Sequence, residues 1–520
     1  MSPIATRHSE GAHSAGFWEQ PLFLAALVFL SALPLSWPEI PPLVDLPGHM
    51  GRYRVQLELA QSPDLQLFYD FRWALIGNLG VDLLVVPLAK LFGLELAVKL
   101  IVLAIPPITV ASFLWVAREV AGRVPPTALF ALPLAYGYPF MFGFVNFALS
   151  MAFAFLAFAL WLRLARFGRL RLRTLLFVPI SVLIWITHTF GWGTLGVMAF
   201  SAELVRQVDR KQPLLRAGFH AALHCLALAP PLLLMLLWRG GGHAAGQTTD
   251  WFNWNRKLDW LLMALRDRWE LFDLAALGVI ALILLFALLH RKLEYSRNLA
   301  ASAIFLAIVF ALLPRIVFGS AYADMRLVPY LIAVAVIGIR LRQGATRRLA
   351  QTLAIGGVAF FLVRTAATTV SFRMEDRSYD REVAALDHVP VGAKLVSFVG
   401  ESCRAPWAMS RLRHLPAIAL VRKRAFSNDQ WVMAGAQLLR VRYRQGWPFT
   451  QDPSQIVTSS RCPGEIWRPI NQALAQFPRA GFDYVWLISP PPYDPRLARG
   501  LRPVWQSGGS VLFRVERGKD

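Results

Sequence analysis

Leu79-Gly80-Val81-Asp82-Leu83-Leu84-Val85-Val86-Pro87-Leu88-Ala89-Lys90-Leu91-Phe92 is apolar enough to enter a bilayer and too short to cross one. A membrane helix needs about 20 mostly apolar residues. This run is shorter and carries Asp82, Pro87 and Lys90. Its placement decides the fold, because every loop after it changes side if it crosses. Other apolar stretches lie near 21–37, 96–117, 126–142, 143–162, 174–188, 190–205, 217–238, 272–290, 298–314, 327–339 and 349–369. The first of these reads as an uncleaved span, since no A-x-A cleavage site follows it.

Basic residues settle the ambiguity, because short cytoplasmic loops carry the surplus of Lys and Arg. The densest short loop is Arg163, Arg166, Arg169, Arg171 and Arg173. Placing it inside puts Arg118 and Arg123 inside, then Arg206, Arg210, Lys211 and Arg216. Arg291, Lys292 and Arg297 follow, then Arg340, Arg342, Arg347 and Arg348. The span at 96–117 then runs outside to inside, while the first span, behind Arg7, runs inside to outside. Both hold only if 79–92 lies in the outer interface, within an external loop from 39 to 95. About eleven transmembrane helices result, with the N-terminus cytoplasmic and the C-terminal part outside.

The composition agrees. Of 520 residues, 56% are hydrophobic and 17% charged, against about 25% charged in soluble proteins. The net charge of +22 is mostly a topology signal, so no nucleic-acid partner is expected. Residues 1–372 form the membrane domain. Residues 373–520 are polar and Pro-rich, with strand-like runs at 394–399, 417–421, 482–488 and 510–515 and a helical stretch at 470–477. They read as an extracytoplasmic α/β domain. Cys403 and Cys462 fall in it, as a bridge or as two free thiols; Cys225 lies in a span. No P-loop, G-x-G-x-x-G, CxxC or H-E-x-x-H occurs.

With the faces assigned, ionisable residues at the membrane boundary become candidates for function. They converge on the outer face. Asp45, His49 and Arg52 follow the first span, and Asp45 and His49 share a helical face. Asp70 lies further along the same loop, as do Arg72 and Asn78. Asn146 and His188 sit at outer turns. Arg315, Tyr322, Asp324 and Arg326 occupy the short outer loop 314–326. Each also has a plainer reading. Asp45 can cap the following helix, Asn146 can form its turn, His188 can satisfy a helix end, and the arginines can anchor the interface. The run Trp251-Phe252-Asn253-Trp254-Asn255 reads as an aromatic belt or a sugar-stacking surface.

This organisation resembles the GT-C superfamily of membrane glycosyltransferases, which includes bacterial aminoarabinose transferases and protein O-mannosyltransferases. The resemblance rests on the first span, the long loop opening at Asp45, and the interface helix at 79–92. That helix is followed by Gly93-Leu94-Glu95-Leu96-Ala97-Val98-Lys99, and an external α/β domain comes after the last span. It implies inverting transfer of a sugar from a polyprenyl-phosphate donor to a lipid, glycan or protein acceptor, at the outer face of a bacterial inner membrane. Asp45 stands in the position of the catalytic acid. His49, Arg52, Asp70, Asn146, His188, Arg315, Tyr322, Asp324 and Arg326 would bind substrate. A second acid often follows the first in this superfamily, and here Leu46 stands there; a divalent cation, Mg or Mn, is therefore an open requirement. A transporter or lipid flippase is the alternative, and would need acids at mid-membrane depth, which are scarce.

Overall fold

The computed structural model describes residues 16–240, 246–404, 406–433 and 437–516. Arg7, used above to orient the first span, lies outside them. Among the described residues, five helices are long and apolar enough to cross a membrane: Leu94–Ala121, Val145–Arg166, Leu170–Thr187, Glu270–Leu289 and Arg347–His388. A sixth follows if Leu214–Leu228 and Pro230–Leu236, bent by 66°, form one span. Pro21–Leu30, Arg297–Leu312 and Met325–Ile337 are apolar but shorter. The helix Thr189–Asp209 covers the stretch expected near 190–205.

One expected span has a different form. The stretch near 126–142 is a buried 3-10 segment, Pro126–Tyr136, followed by the short helix Tyr138–Phe142. Pro125, Pro126, Pro133 and Pro139 each lack an amide donor and fix φ, so an unbroken α-helix cannot form there. The segment packs between the helices Arg347–Val383 and Val328–Ile337.

Arg347–Val383 links the apolar part of the chain to the C-terminal part. Its 37 residues make a rod of about 55 Å at 1.5 Å per residue, well beyond the ~30 Å hydrocarbon core. The polar composition that begins at 373 falls inside this helix, which runs on to Val383.

Beyond it, six strands form one sheet in the order Arg468–Pro469, Ile456–Thr458, Leu395–Gly400, Tyr484–Ile488, Ser510–Val515, Leu501–Ser507. The first four are parallel and the last two join antiparallel. The strand expected at 417–421 is instead a helix, Ala417–Lys423. A short, wholly apolar run has no period to separate strand from helix. Its apolar residues are buried on all sides, against the helix Leu46–Glu58.

That contact is one of several stitches between the segment 39–95 and the C-terminal part. Tyr69–Phe71 pairs antiparallel with Leu439–Val441. Arg422 bridges Glu39 and Glu95, each at 2.7 Å, and Arg424 meets Glu58 at 2.8 Å. Gln430 Nε2 donates to Gly48 O at 3.2 Å. Cys403 and Cys462 are bridged, with Cα atoms 5.3 Å apart.

The run that opened the sequence reading is the helix Gly80–Phe92, 13 residues long and too short to span. Asp82 is fully buried on it and pairs with Arg52 of the helix Leu46–Glu58. Asn146 closes the group. Its Nδ2 donates to Asp82 Oδ2 at 2.9 Å and to Asn78 O at 3.0 Å, and its Oδ1 accepts from Val81 N at 2.6 Å. Asp82→Ala would leave the Arg52 guanidinium buried without its partner, which costs about 3–5 kcal/mol. The expected outcome is a clearly lower Tm in detergent; an unchanged Tm would show the pair carries no weight.

Candidate active site

The helix Leu46–Glu58 starts with Pro47 in its first turn, where no donor is missed. Asp45 holds the N-cap position, yet its side chain makes no capping hydrogen bond. The chain is clasped through its backbone instead: Asp45 N donates to Phe142 O at 2.9 Å. Gly143 makes this approach possible. Its φ is +102°, and a Cβ there would sit 2.8 Å from Asp45 N. The Asp45 carboxylate, needed neither by the helix nor by the turn, faces a cavity of about 1000 Å³.

One wall of that cavity is Phe144, Phe147 and Phe190, with Arg326 set among them. The guanidinium lies 4.4, 5.9 and 5.5 Å from those three rings. Arg326 is buried, forms no ion pair among the described residues, and reaches Ser320 Oγ and Ala321 O only at 3.5 Å. Its Nε has no hydrogen-bond partner. A buried cation held by ring faces and weak dipoles, with no ion pair among the described residues, is suited to taking up an anion.

His49, Asn146, His188, Arg315 and Tyr322 also line the cavity. Asn146 has all its polar atoms committed to the interface helix, as described. His188 caps the helix Thr189–Asp209, its Nδ1 accepting from Phe190 N at 3.1 Å. Arg315 is ion-paired with Asp250. Tyr322, with φ of +63°, packs on Phe142 and Trp260.

Three expected residues lie away from the cavity. Arg52 serves the pair with Asp82. Asp70 sits on the strand beside Arg440, with Arg72 at 3.4 Å. Asp324 pairs with buried Lys257 at 3.1 Å and caps Met325 N at 2.9 Å. Of the belt at 251–255, none lines the cavity; Trp251, Phe252 and Trp254 are exposed, while neighbouring Trp260 does line it.

The sequence reading missed the other wall altogether. Arg413, His414, Trp431 and Asp452 of the C-terminal part face Asp45 across the cavity. They come from separate loops and share no motif. The one available signal was the clustering of Arg411, Arg413 and His414 in the polar C-terminal part. Burial pushes the Asp45 carboxyl well above the usual carboxylate range; Asp452 adds to this, while Arg413 and Arg326 oppose it. Burial, helped by Arg52 and His414, holds His49 well below the ordinary histidine value, so it is neutral.

Among the described residues, no three His, Cys, Asp or Glu side chains are grouped to hold a metal ion.

No known family and no curated protein matches this sequence. By structure it is similar to ArnT from Cupriavidus metallidurans. ArnT bound to undecaprenyl phosphate aligns with a TM-score of 0.48 and 11% identity, over 96% of this chain and 97% of ArnT. Apo ArnT gives 0.47 and 11%, over 95% and 97%. At that level ArnT lends no residue roles to this chain; those rest on its own geometry.

Gly143→Ala tests the clasp. A side chain in the left-handed region, meeting the Asp45 backbone, should destabilise by more than ~1 kcal/mol and displace the carboxylate. Lower thermal stability together with lost activity is expected; a variant with wild-type Tm and activity would contradict the close approach.

Proposed function

We propose that this multi-pass membrane protein is an inverting glycosyltransferase. It moves a sugar from a polyprenyl-phosphate-linked donor to a lipid, glycan or protein acceptor at the outer face of the cytoplasmic membrane. The observation that carries this reading is the opposition of an uncapped carboxylate, Asp45, and an unpaired buried guanidinium, Arg326, across one cavity.

Each half of the reaction has a group suited to it. The acceptor hydroxyl attacks the anomeric carbon and gives its proton to Asp45, as the bond from that carbon to the phosphate oxygen breaks on the opposite side. The leaving lipid phosphate gathers negative charge, and Arg326 meets it in a site whose aromatic wall excludes water. A single displacement of this kind inverts the anomeric configuration. The aromatic wall suits the first carbons of a prenyl chain, and a lipid carrier explains why the site sits at a bilayer surface and needs no nucleotide loop.

General-base assistance is worth about 10²–10⁴ in rate. In a transfer assay on purified protein with a panel of polyprenyl-phosphate sugars, Asp45→Asn should therefore lose at least about 100-fold while keeping its Tm. Full activity in Asp45→Asn would remove Asp45 as the base. The pH profile gives a separate check. Asp45 works only when ionised, and its proton is held more tightly than on an exposed acid. Activity should therefore fall as pH drops through a value above the usual ~4 of a carboxylate. An acid limb at or below pH ~4 would contradict the buried setting.

A further inference from the structure

His414 stands where the C-terminal part meets Asp45. The ring is buried, with Trp431 at 4.3 Å between centroids, and Trp431 lies 5.0 Å from His49 on its other side. Three carboxylates surround it. Asp45 Oδ1 and Asp452 Oδ1 are each 3.8 Å from Nε2, and Asp429 Oδ2 is 3.8 Å from Nδ1. Arg413 and His49 complete the charged and titratable groups facing the ring. Nδ1 is buried with no hydrogen-bond partner.

Those neighbours are not equivalent. Asp452 Oδ1 already accepts from Gln455 Nε2 at 2.7 Å. Asp429 accepts from Ala417 N at 3.0 Å, Ser427 Oγ at 2.7 Å and Gln430 Nε2 at 3.3 Å. Asp45 alone has no donor on its carboxylate among the described residues. Burial and Arg413 push the imidazole down to about 3, so at neutral pH it carries one N–H, and one nitrogen accepts while the other donates. Two carboxylates, Asp45 and Asp452, face Nε2 and one, Asp429, faces Nδ1, which favours the imidazole proton on Nε2, towards Asp45.

We propose that His414 is a positioning residue for Asp45, its Nε2–H holding the carboxylate towards the acceptor. This rests on the reading of Asp45 as the base. The 3.8 Å separation from Asp45 shortens to hydrogen-bond length as substrates fill the cavity, as catalytic contacts commonly do. The C-terminal part then completes the active site as well as roofing it.

The test is the same transfer assay with the full-length protein, comparing wild type with Asp45→Asn, His414→Ala, His414→Phe and His414→Gln, each with its Tm. His414→Ala and His414→Phe should lower kcat about 10- to 100-fold with donor KM unchanged. His414→Gln should recover most of the rate, because its amide N–H stands near the place of Nε2–H and has no tautomer. Wild-type activity in His414→Ala, or equal losses in Gln and Phe, would overturn the proposal. If Asp45→Asn is inactive while His414→Ala is not, the base stands and the positioning role falls. If Asp45→Asn is fully active, the base itself falls. Should His414→Ala fail to fold, the comparison of Gln with Phe, which both fill the site, decides.

Discussion

A buried ion pair with one amide attached holds this site together. Arg52, Asp82 and Asn146 belong to three different elements. Taking a carboxylate and a guanidinium out of water costs several kcal/mol each unless they meet in good geometry. The helix Leu46–Glu58, the interface helix Gly80–Phe92 and the helix Val145–Arg166 can therefore come together in only one register. Asn146 sits one residue into the last of these, directly after the turn at Gly143 that clasps Asp45. The same constraint that seats the interface helix thus also fixes where the candidate base stands.

The cavity above that clasp faces two kinds of surroundings. One wall comes from the apolar helical part and supplies aromatic rings and Arg326, a cation without an ion pair among the described residues. The other wall comes from the C-terminal part and supplies carboxylates, an imidazole and a further arginine. A lipid-borne sugar needs both: an apolar, cationic seat for the carrier end and a polar, base-equipped space for the hydroxyl that attacks. The stitches from Glu39, Glu58, Glu95 and Gly48 to residues 422–430 keep the walls in register, and they join segments more than 300 residues apart in the chain.

How much of this was readable before the structure follows from how local each signal is. The longer apolar helices and the short helix at 80–92 were legible because a bilayer imposes length on every crossing. Asp45 was legible because it follows a span directly. Arg326 was legible as an outer arginine in a short loop, though Arg315 looked its equal until Asp250 was found beside it. Arg52 and Asp324 carry the same chemistry in sequence as a binding residue does; only their buried partners, Asp82 and Lys257, show that they serve packing. The 3-10 segment Pro126–Tyr136 was hidden because hydropathy ignores missing amide protons. The helix Ala417–Lys423 was hidden because a short apolar run has no period. His414 and Asp452 were out of reach, since tertiary contact alone brings them to Asp45.

The central claim is that Arg326 takes a lipid phosphate opposite Asp45. Its most direct test is an experimentally determined structure of the protein with a polyprenyl phosphate. The account predicts phosphate density at the Arg326 guanidinium, within hydrogen-bond reach of about 3 Å, with the chain leaving past Phe144 and Phe190. Phosphate bound elsewhere, with Arg326 still enclosed only by its rings, would contradict it.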